Sequence, residues 1–146
     1  MTATPSSASL SLPNCTYIGS YAFNSCPALS TVNLSKCSII SASAFAYCSS
    51  LTTVNVKGCT LISTSAFASC AQLTTVSISG PLSSIGLAAF TNCTSLRSLY
   101  LYVTSVPTLG QNVFNTTPLT NSTYLGTFGS IYIPSSLYSS FLTATY

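Results

Sequence analysis

The chain has 146 residues, of which 47% are hydrophobic and 2% charged, with three Lys or Arg and no Asp, Glu or His. Soluble domains usually carry about 25% charged residues, so this chain must stay hydrated through Ser, Thr and Asn. Without acids or histidine it lacks side-chain salt bridges and the usual acid–base catalysts, and its net charge of +3 is too sparse for a nucleic-acid interface.

Residues 1–12 form a Ser/Thr/Ala-rich leader in which Leu10 and Leu12 alternate just before Pro13. This alternation predicts the remnant of an incoming strand that partly caps the unit behind it. The leader lacks the basic and apolar regions of a signal peptide, so we expect another export route, or earlier removal of a leader, if the protein is secreted. No apolar run in the chain reaches the roughly 18 to 20 residues needed to span a membrane, so we expect no membrane insertion.

Residues 13–106 contain four copies of one unit, each built around an Ala-Phe pair. The phenylalanines of these pairs are separated by 22, 22 and 23 residues: Phe23, Phe45, Phe67 and Phe90. A degenerate Val113-Phe114 pair follows 24 residues later. A fixed period in this range is typical of a solenoid whose coils bury their apolar sides against each other. We therefore expect the phenylalanines to form an interior column.

Each unit also carries a period-two apolar pattern, such as Leu51-x-x-Val54-x-Val56, which predicts a strand. Stacked coils place these strands about 4.8 Å apart in a parallel sheet. The alternate positions then face outward and form a candidate ligand-binding surface, completed by a tyrosine from a later strand: Thr31, Asn33, Thr53, Asn55, Lys57, Thr75, Ser77, Ser98, Tyr100, Tyr102 and Tyr132.

A Ser-rich tetrapeptide precedes each Ala-Phe pair. Ser41 and Ser63 are placed to cap short helical turns through the pair, because serine side chains satisfy free N–H groups at helix starts. The sequence therefore predicts an α/β solenoid with a parallel sheet on one side and short helical or 3-10 turns on the other.

Residues 107–146 form a degenerate repeat and a C-terminal cap. Prolines interrupt the repeat pattern there, and residues 122–129 form a polar-aromatic loop. A last strand is predicted over residues 130–133. Pro134 and the serines behind it then predict a helix start.

The seven cysteines fall into two columns with the repeat period: Cys15, Cys37 and Cys59, and Cys26, Cys48, Cys70 and Cys93. They are interpreted as small buried side chains, with one or two disulfides as the alternative. The chain has no C-x-x-C pair, no histidine and no acidic residue to complete a metal site. We therefore expect no metal and no cofactor. The Lys36-Cys37 pair is interpreted as a solvated lysine beside a buried thiol, with a thiolate activated by Lys36 as the minor alternative.

The string IGSYAFNSCPALSTVNL (residues 18–34) and its three successors resemble the BspA-like, or treponemal-type, leucine-rich repeats, whose pattern is I-x-x-x-A-F-x-x-C-x-x-L-x-x-[IV]-x-[IVL]. The resemblance covers residues 13–106. It implies a short right-handed superhelix with the sheet on the concave face. It also implies an extracellular, cell-surface or virion-associated protein used for adhesion. The chain departs from the family in having almost no charge on the sheet face and Cys at a turn position often taken by Pro.

Three functions, none of them enzymatic, fit these features. The leading hypothesis is a binding or adhesion module that recognises an extracellular protein or neutral glycan through the outward sheet face, where Tyr and hydroxyl groups resemble a paratope in composition. An alternative is end-to-end self-assembly, because uncharged solenoid ends invite pairing. Ice binding through the threonine rows is a minor alternative.

Overall fold

The period-two segment of each repeat forms one strand of a long parallel sheet. The computed structural model describes residues 8–119 and 129–143. In this part of the chain the main sheet, sheet A, has six strands, each parallel to its neighbours. In spatial order they are β1 (Ala8–Ser11), β3 (Leu29–Leu34), β5 (Thr53–Lys57), β7 (Thr75–Gly80), β9 (Ser98–Val103) and β11 (Ser130–Tyr132). Their order follows the chain, as expected for a solenoid of about five turns.

The isoleucine position after each strand forms a second sheet that the sequence analysis did not predict. Sheet B consists of five two-residue parallel strands: β2 (Tyr17–Ile18), β4 (Ile39–Ile40), β6 (Leu61–Ile62), β8 (Ser84–Ile85) and β10 (Thr108–Leu109). One residue of each pair in β2 to β8 is buried, Ile40 and Ile62 completely. A two-residue strand is too short to show an alternating apolar pattern in the sequence. These strands are therefore recognised only from their pairing in the stacked coils.

The helical turns predicted on the third side of each coil are replaced by turns without helix in residues 8–119. An α-helix would require the Phe45 N–H to donate to the carbonyl of Ser41. Instead that N–H donates to the carbonyl of Ala66 in the next coil at 2.8 Å, while Ala44 closes a tighter turn onto Ser41. The fold is therefore a β-solenoid with few helical residues rather than an α/β solenoid.

This inter-coil ladder depends on left-handed backbone. Among the described residues, ten non-glycine residues have φ between 53° and 61°, two in each coil, including Ser43 and Tyr47. Left-handed φ costs an L-residue about 1 to 2 kcal/mol, but it turns alternate N–H groups along the solenoid axis. The N–H groups of both residues reach carbonyls of the next coil, at 3.0 and 2.9 Å, so hydrogen bonds offset the strain.

The Phe column predicted from the repeat period is confirmed. Rings of consecutive coils stack with centroids 5.1, 5.2, 5.2 and 5.8 Å apart and within 14° of parallel, from Phe23 through Phe45, Phe67 and Phe90 to Phe114. The three central rings are fully buried, and so are most of the inward strand positions. The apolar core is thus a set of parallel columns running the length of the array.

At each end of the described residues a further strand extends sheet A. Strand β1 pairs with β3, and Leu10 and Leu12 pack partly buried on the core. At the other end β11 pairs with β9 and leads through Pro134 into a 3-10 helix (Ser135–Leu137) and α1 (Tyr138–Thr143). The predicted loop at residues 122–129 lies almost wholly outside the described residues.

Candidate functional site

The outward positions of sheet A line up in rows that cross the strands. Register pairs Thr31, Thr53, Thr75 and Ser98 in one row, which Ser9 and Ser130 extend at its ends. The next row is Ser11, Asn33, Asn55, Ser77, Tyr100 and Tyr132, and a third contains Lys57, Ser79 and Tyr102. The structure therefore brings every predicted site residue onto one continuous face.

The amide part of this face is ordered by its own hydrogen bond. The Asn55 Nδ2 donates to the Asn33 Oδ1 at 2.9 Å across neighbouring strands. Both side chains are half-buried, and each keeps further donor and acceptor capacity. This part of the face can exchange hydrogen bonds with a ligand without first reorganising.

The aromatic part lies at the C-terminal end of the same rows. The rings of Tyr100 and Tyr132 stack at 4.5 Å, and the rings of Tyr100 and Tyr102 lie 6.3 Å apart, each pair within 9° of parallel. Tyr102 remains 61% exposed and Tyr132 48% exposed. Three parallel rings therefore stand on the sheet, and those of Tyr102 and Tyr132 keep much of their surface open to solvent.

A cavity of about 330 Å³ opens beside these rings. Its lining is mainly apolar and consists of the Tyr cluster together with Leu101, Ile133 and Pro134. None of these three was among the predicted site residues. Tyr132 pairs with Tyr100 at the end of β11, and Pro134 follows two residues later in the lining of the same cavity as Tyr102. Only the register of β11, which the sequence does not specify, places the proline there.

Electrostatically the face is nearly neutral. Lys57 is exposed at the end of β5 and is the single charged side chain in the rows. Lys36 lies beyond the end of β3 and Arg97 just before β9. Since the chain has no Asp or Glu, these cations have no acidic side chain to pair with.

The cysteines form the two predicted columns and all seven are free thiols. In one column the thiols of Cys48, Cys70 and Cys93 each donate to a phenylalanine carbonyl of the preceding coil at 3.1 Å. A small side chain with a weak donor suits this place, because the left-handed turns leave an inward carbonyl that otherwise lacks a partner. The disulfide alternative does not occur in the structure.

The environment of the thiols does not favour nucleophilic chemistry. Burial raises the pKa of Cys37 despite the adjacent Lys36, and burial raises the pKa of Cys59 and of Cys93 to about 12. The neighbouring Cys70 side chain lowers the pKa of Cys48, but the Cys48 side chain is completely buried. A nucleophilic thiolate needs access as well as a low pKa.

Within residues 8–119 and 129–143, no group of three or more His, Cys, Asp or Glu side chains is arranged to hold a metal ion. No helix in the same part of the chain is both long and apolar enough to cross a bilayer.

Comparison with known proteins gives one match. A family model described as "BspA type Leucine rich repeat region" matches residues 16–141 in six copies, which exceeds the four counted from the sequence because it includes the degenerate C-terminal segment. No curated protein and no solved structure matches the chain.

Proposed function

Because the chain belongs to the BspA-type leucine-rich repeat family, which commonly mediates protein binding or adhesion and is typically non-enzymatic, we propose that it is a non-catalytic binding module. Its ligand is an extracellular protein or a neutral glycan, held on the outward face of sheet A. The observation that carries the proposal is the continuity of that face: six strands in register present hydroxyl, amide and tyrosine rows without interruption.

The composition of the face supports binding rather than chemistry. Tyr side chains supply rigid contact area at low conformational cost, and Ser, Thr and Asn supply adaptable hydrogen bonds. General acid–base catalysis needs a group with a pKa near the working pH, and the chain has neither an acidic side chain nor a histidine. Five of the seven cysteines are buried, the other two are half-buried, and none belongs to the outward rows.

The proposed location is extracellular, on a cell surface or on a virion. The supporting observation is the family, whose members are often surface-associated. A surface hydrated by uncharged hydroxyls also tolerates changes of pH and salt, since it contains few groups that titrate or are screened.

The test is a binding screen on arrays of extracellular proteins and neutral glycans, with three versions of the protein. The wild type is compared with the double variant Tyr100→Ala/Tyr102→Ala and with Tyr47→Ala, a control that removes an equally exposed tyrosine from the turn side of the solenoid. We expect wild type and Tyr47→Ala to bind the same ligands and the double variant to lose them. Equal binding by all three proteins would contradict the assignment of the face.

A second candidate function, end-to-end self-association, is favoured by the N-terminal end of the solenoid. Each coil accepts three N–H groups of the preceding coil on alternate carbonyls, such as Ala42, Ala44 and Ala46. The equivalent carbonyls of the first coil receive no donor from any described residue: Ser20, Ala22 and Asn24. Strand β1 also ends sheet A with an unpaired edge among the described residues.

An apolar opening accompanies this unpaired edge. A cavity of about 350 Å³ lies against Phe23, Leu10 and Pro27 at the same end. The end of a second copy of the chain would donate hydrogen bonds to these carbonyls and cover the apolar opening. Analytical ultracentrifugation tests this: association that Pro27→Asp abolishes and Pro81→Asp preserves supports it, and a monomer at all concentrations refutes it. Both prolines are exposed.

Ice binding stays a prediction. The central row contains three threonines in register, but the adjacent row is Asn, Ser and Tyr rather than threonine. A thermal hysteresis assay decides it.

A further inference from the structure

The cavity beside the Tyr cluster is small for a ligand pocket. Ligand pockets usually enclose about 300 to 1,000 Å³, and this cavity, at about 330 Å³, lies at the lower limit. Its lining includes Pro134 and the exposed rings of Tyr102 and Tyr132. A flat ring can lie against these side chains, while the rest of a longer ligand must lie over the open rows.

The chemistry of the walls favours a ring that is uncharged and edged with polar groups. An aromatic face is electron-rich and attracts C–H bonds pointed at it. A pyranose presents such C–H bonds on its faces and hydroxyl groups around its edge. No charged side chain lines the cavity, and the nearest one in the same row, Lys57, is separated from Tyr102 by the intervening Ser79. A charged ring, cationic or anionic, therefore finds no side chain in the cavity lining with which to form an ion pair.

The rows next to the cavity match a repeating ligand. Each coil contributes one residue to each row, so the polar groups recur about every 4.8 Å along the solenoid axis. This is close to the advance per sugar in an extended polysaccharide. Hydroxyl and amide groups both donate and accept hydrogen bonds, as sugar hydroxyls do. A proline-rich peptide also fits between aromatic rings, but its proline residues offer carbonyl acceptors without N–H donors.

We propose that the ligand of this face is a linear, neutral polysaccharide that runs along the solenoid axis and inserts one pyranose ring into the cavity beside Tyr102. The following sugars lie over Ser77, Asn55 and Asn33 in turn, one per coil. This inference rests on the binding function proposed above and adds to it the class of ligand, its direction and the position of one sugar.

The experiment measures affinities for defined oligosaccharides by isothermal titration calorimetry. The neutral probes are cello-, chito- and manno-oligosaccharides of two to six sugars, and the other probes are galacturonate hexamers and a ten-residue polyproline peptide. We expect at least one neutral series to bind, with at least a tenfold gain from dimer to hexamer because each added sugar reaches another coil. We also expect less than a twofold change between 50 and 500 mM NaCl, since no ion pair is formed.

Three variants locate the ligand. Tyr102→Ala should weaken the hexamer at least tenfold, and Asn55→Ala should weaken the hexamer but not the dimer. The control Tyr47→Ala should change neither, and an unchanged melting temperature in all three confirms that they fold.

The outcomes separate the inference from the function on which it rests. The inference fails if no neutral series binds, if polyproline or galacturonate binds more tightly, or if Tyr102→Ala binds the hexamer like the wild type. If ligands from the array screen are then still lost in Thr53→Arg, which obstructs the middle of the face, the binding function stands and only its ligand class is wrong. If Thr53→Arg also binds normally, the face is not the binding site.

Discussion

The Phe column allows one prediction to be worked through quantitatively. Phe45 is completely buried and stacks on Phe23 at 5.1 Å and on Phe67 at 5.2 Å. Replacing buried Phe by Ala usually costs about 3 to 5 kcal/mol, more where the cavity cannot collapse. Here the coils on either side are held at fixed spacing by 2.8 Å backbone hydrogen bonds to the carbonyls of Ala44 and Ala66. We therefore expect Phe45→Ala to lose about 4 to 5 kcal/mol.

The matched control is Phe23→Ala, one coil towards the N-terminus. Phe23 is half-buried, stacks on one ring only and borders the N-terminal cavity, so much less is lost when it is removed. We expect about 1 to 2 kcal/mol for this variant. Urea unfolding followed by circular dichroism measures both losses, provided that the slope of free energy against urea stays unchanged. Equal losses at Phe45 and Phe23, or a loss below about 2 kcal/mol at Phe45, would refute the column as the source of stability.

Four further predictions concern pH, two buried thiols and a close backbone approach. The melting temperature should be nearly flat from pH 4.5 to 7.5, because apart from cysteine no side chain titrates there; a shift of more than a few degrees contradicts this. Burial raises the pKa of Cys59 from 9.0 to about 12, so its contribution to stability is complete below pH 9 and is lost as pH rises to about 12; Cys59→Ala should reduce that loss. Cys70→Ala should cost about 1 to 3 kcal/mol more than Cys70→Ser, because serine keeps a donor for the Phe45 carbonyl; urea midpoints in the reverse order would disprove this role. Gly86→Ala should cost about 1 to 3 kcal/mol, since a Cβ there would lie 2.7 Å from a backbone nitrogen of the preceding coil, whereas Gly19→Ala meets only one side-chain atom at 3.8 Å; similar melting temperatures for the two variants would contradict the close approach.

Much of the candidate face could be predicted from the sequence. The outward positions follow from strand alternation within each repeat, and the rows follow from the constant period, which keeps Thr31, Thr53 and Thr75 in register. The aromatic end could be predicted only in part. Tyr132 belongs to a strand outside the regular repeat, so its stacking on Tyr100 depends on how the cap docks. The position of Pro134 in the cavity depends on the same docking.

The sequence by itself determined the solenoid, the strand in each coil, the Phe column and the outward rows, because these depend on side-chain identities that recur at a fixed spacing. Only the tertiary structure decided which carbonyl each backbone N–H group of the turns donates to. The N–H of Phe45 can donate to Ser41 in its own coil or to Ala66 in the next, and the second choice replaces the predicted helical turn by a left-handed ladder. That choice turns carbonyls inward, where Cys48 and Cys70 bond to them as free thiols. The sequence of a single repeat cannot predict this choice, because the carbonyl of the next coil comes within reach only once the coils have stacked.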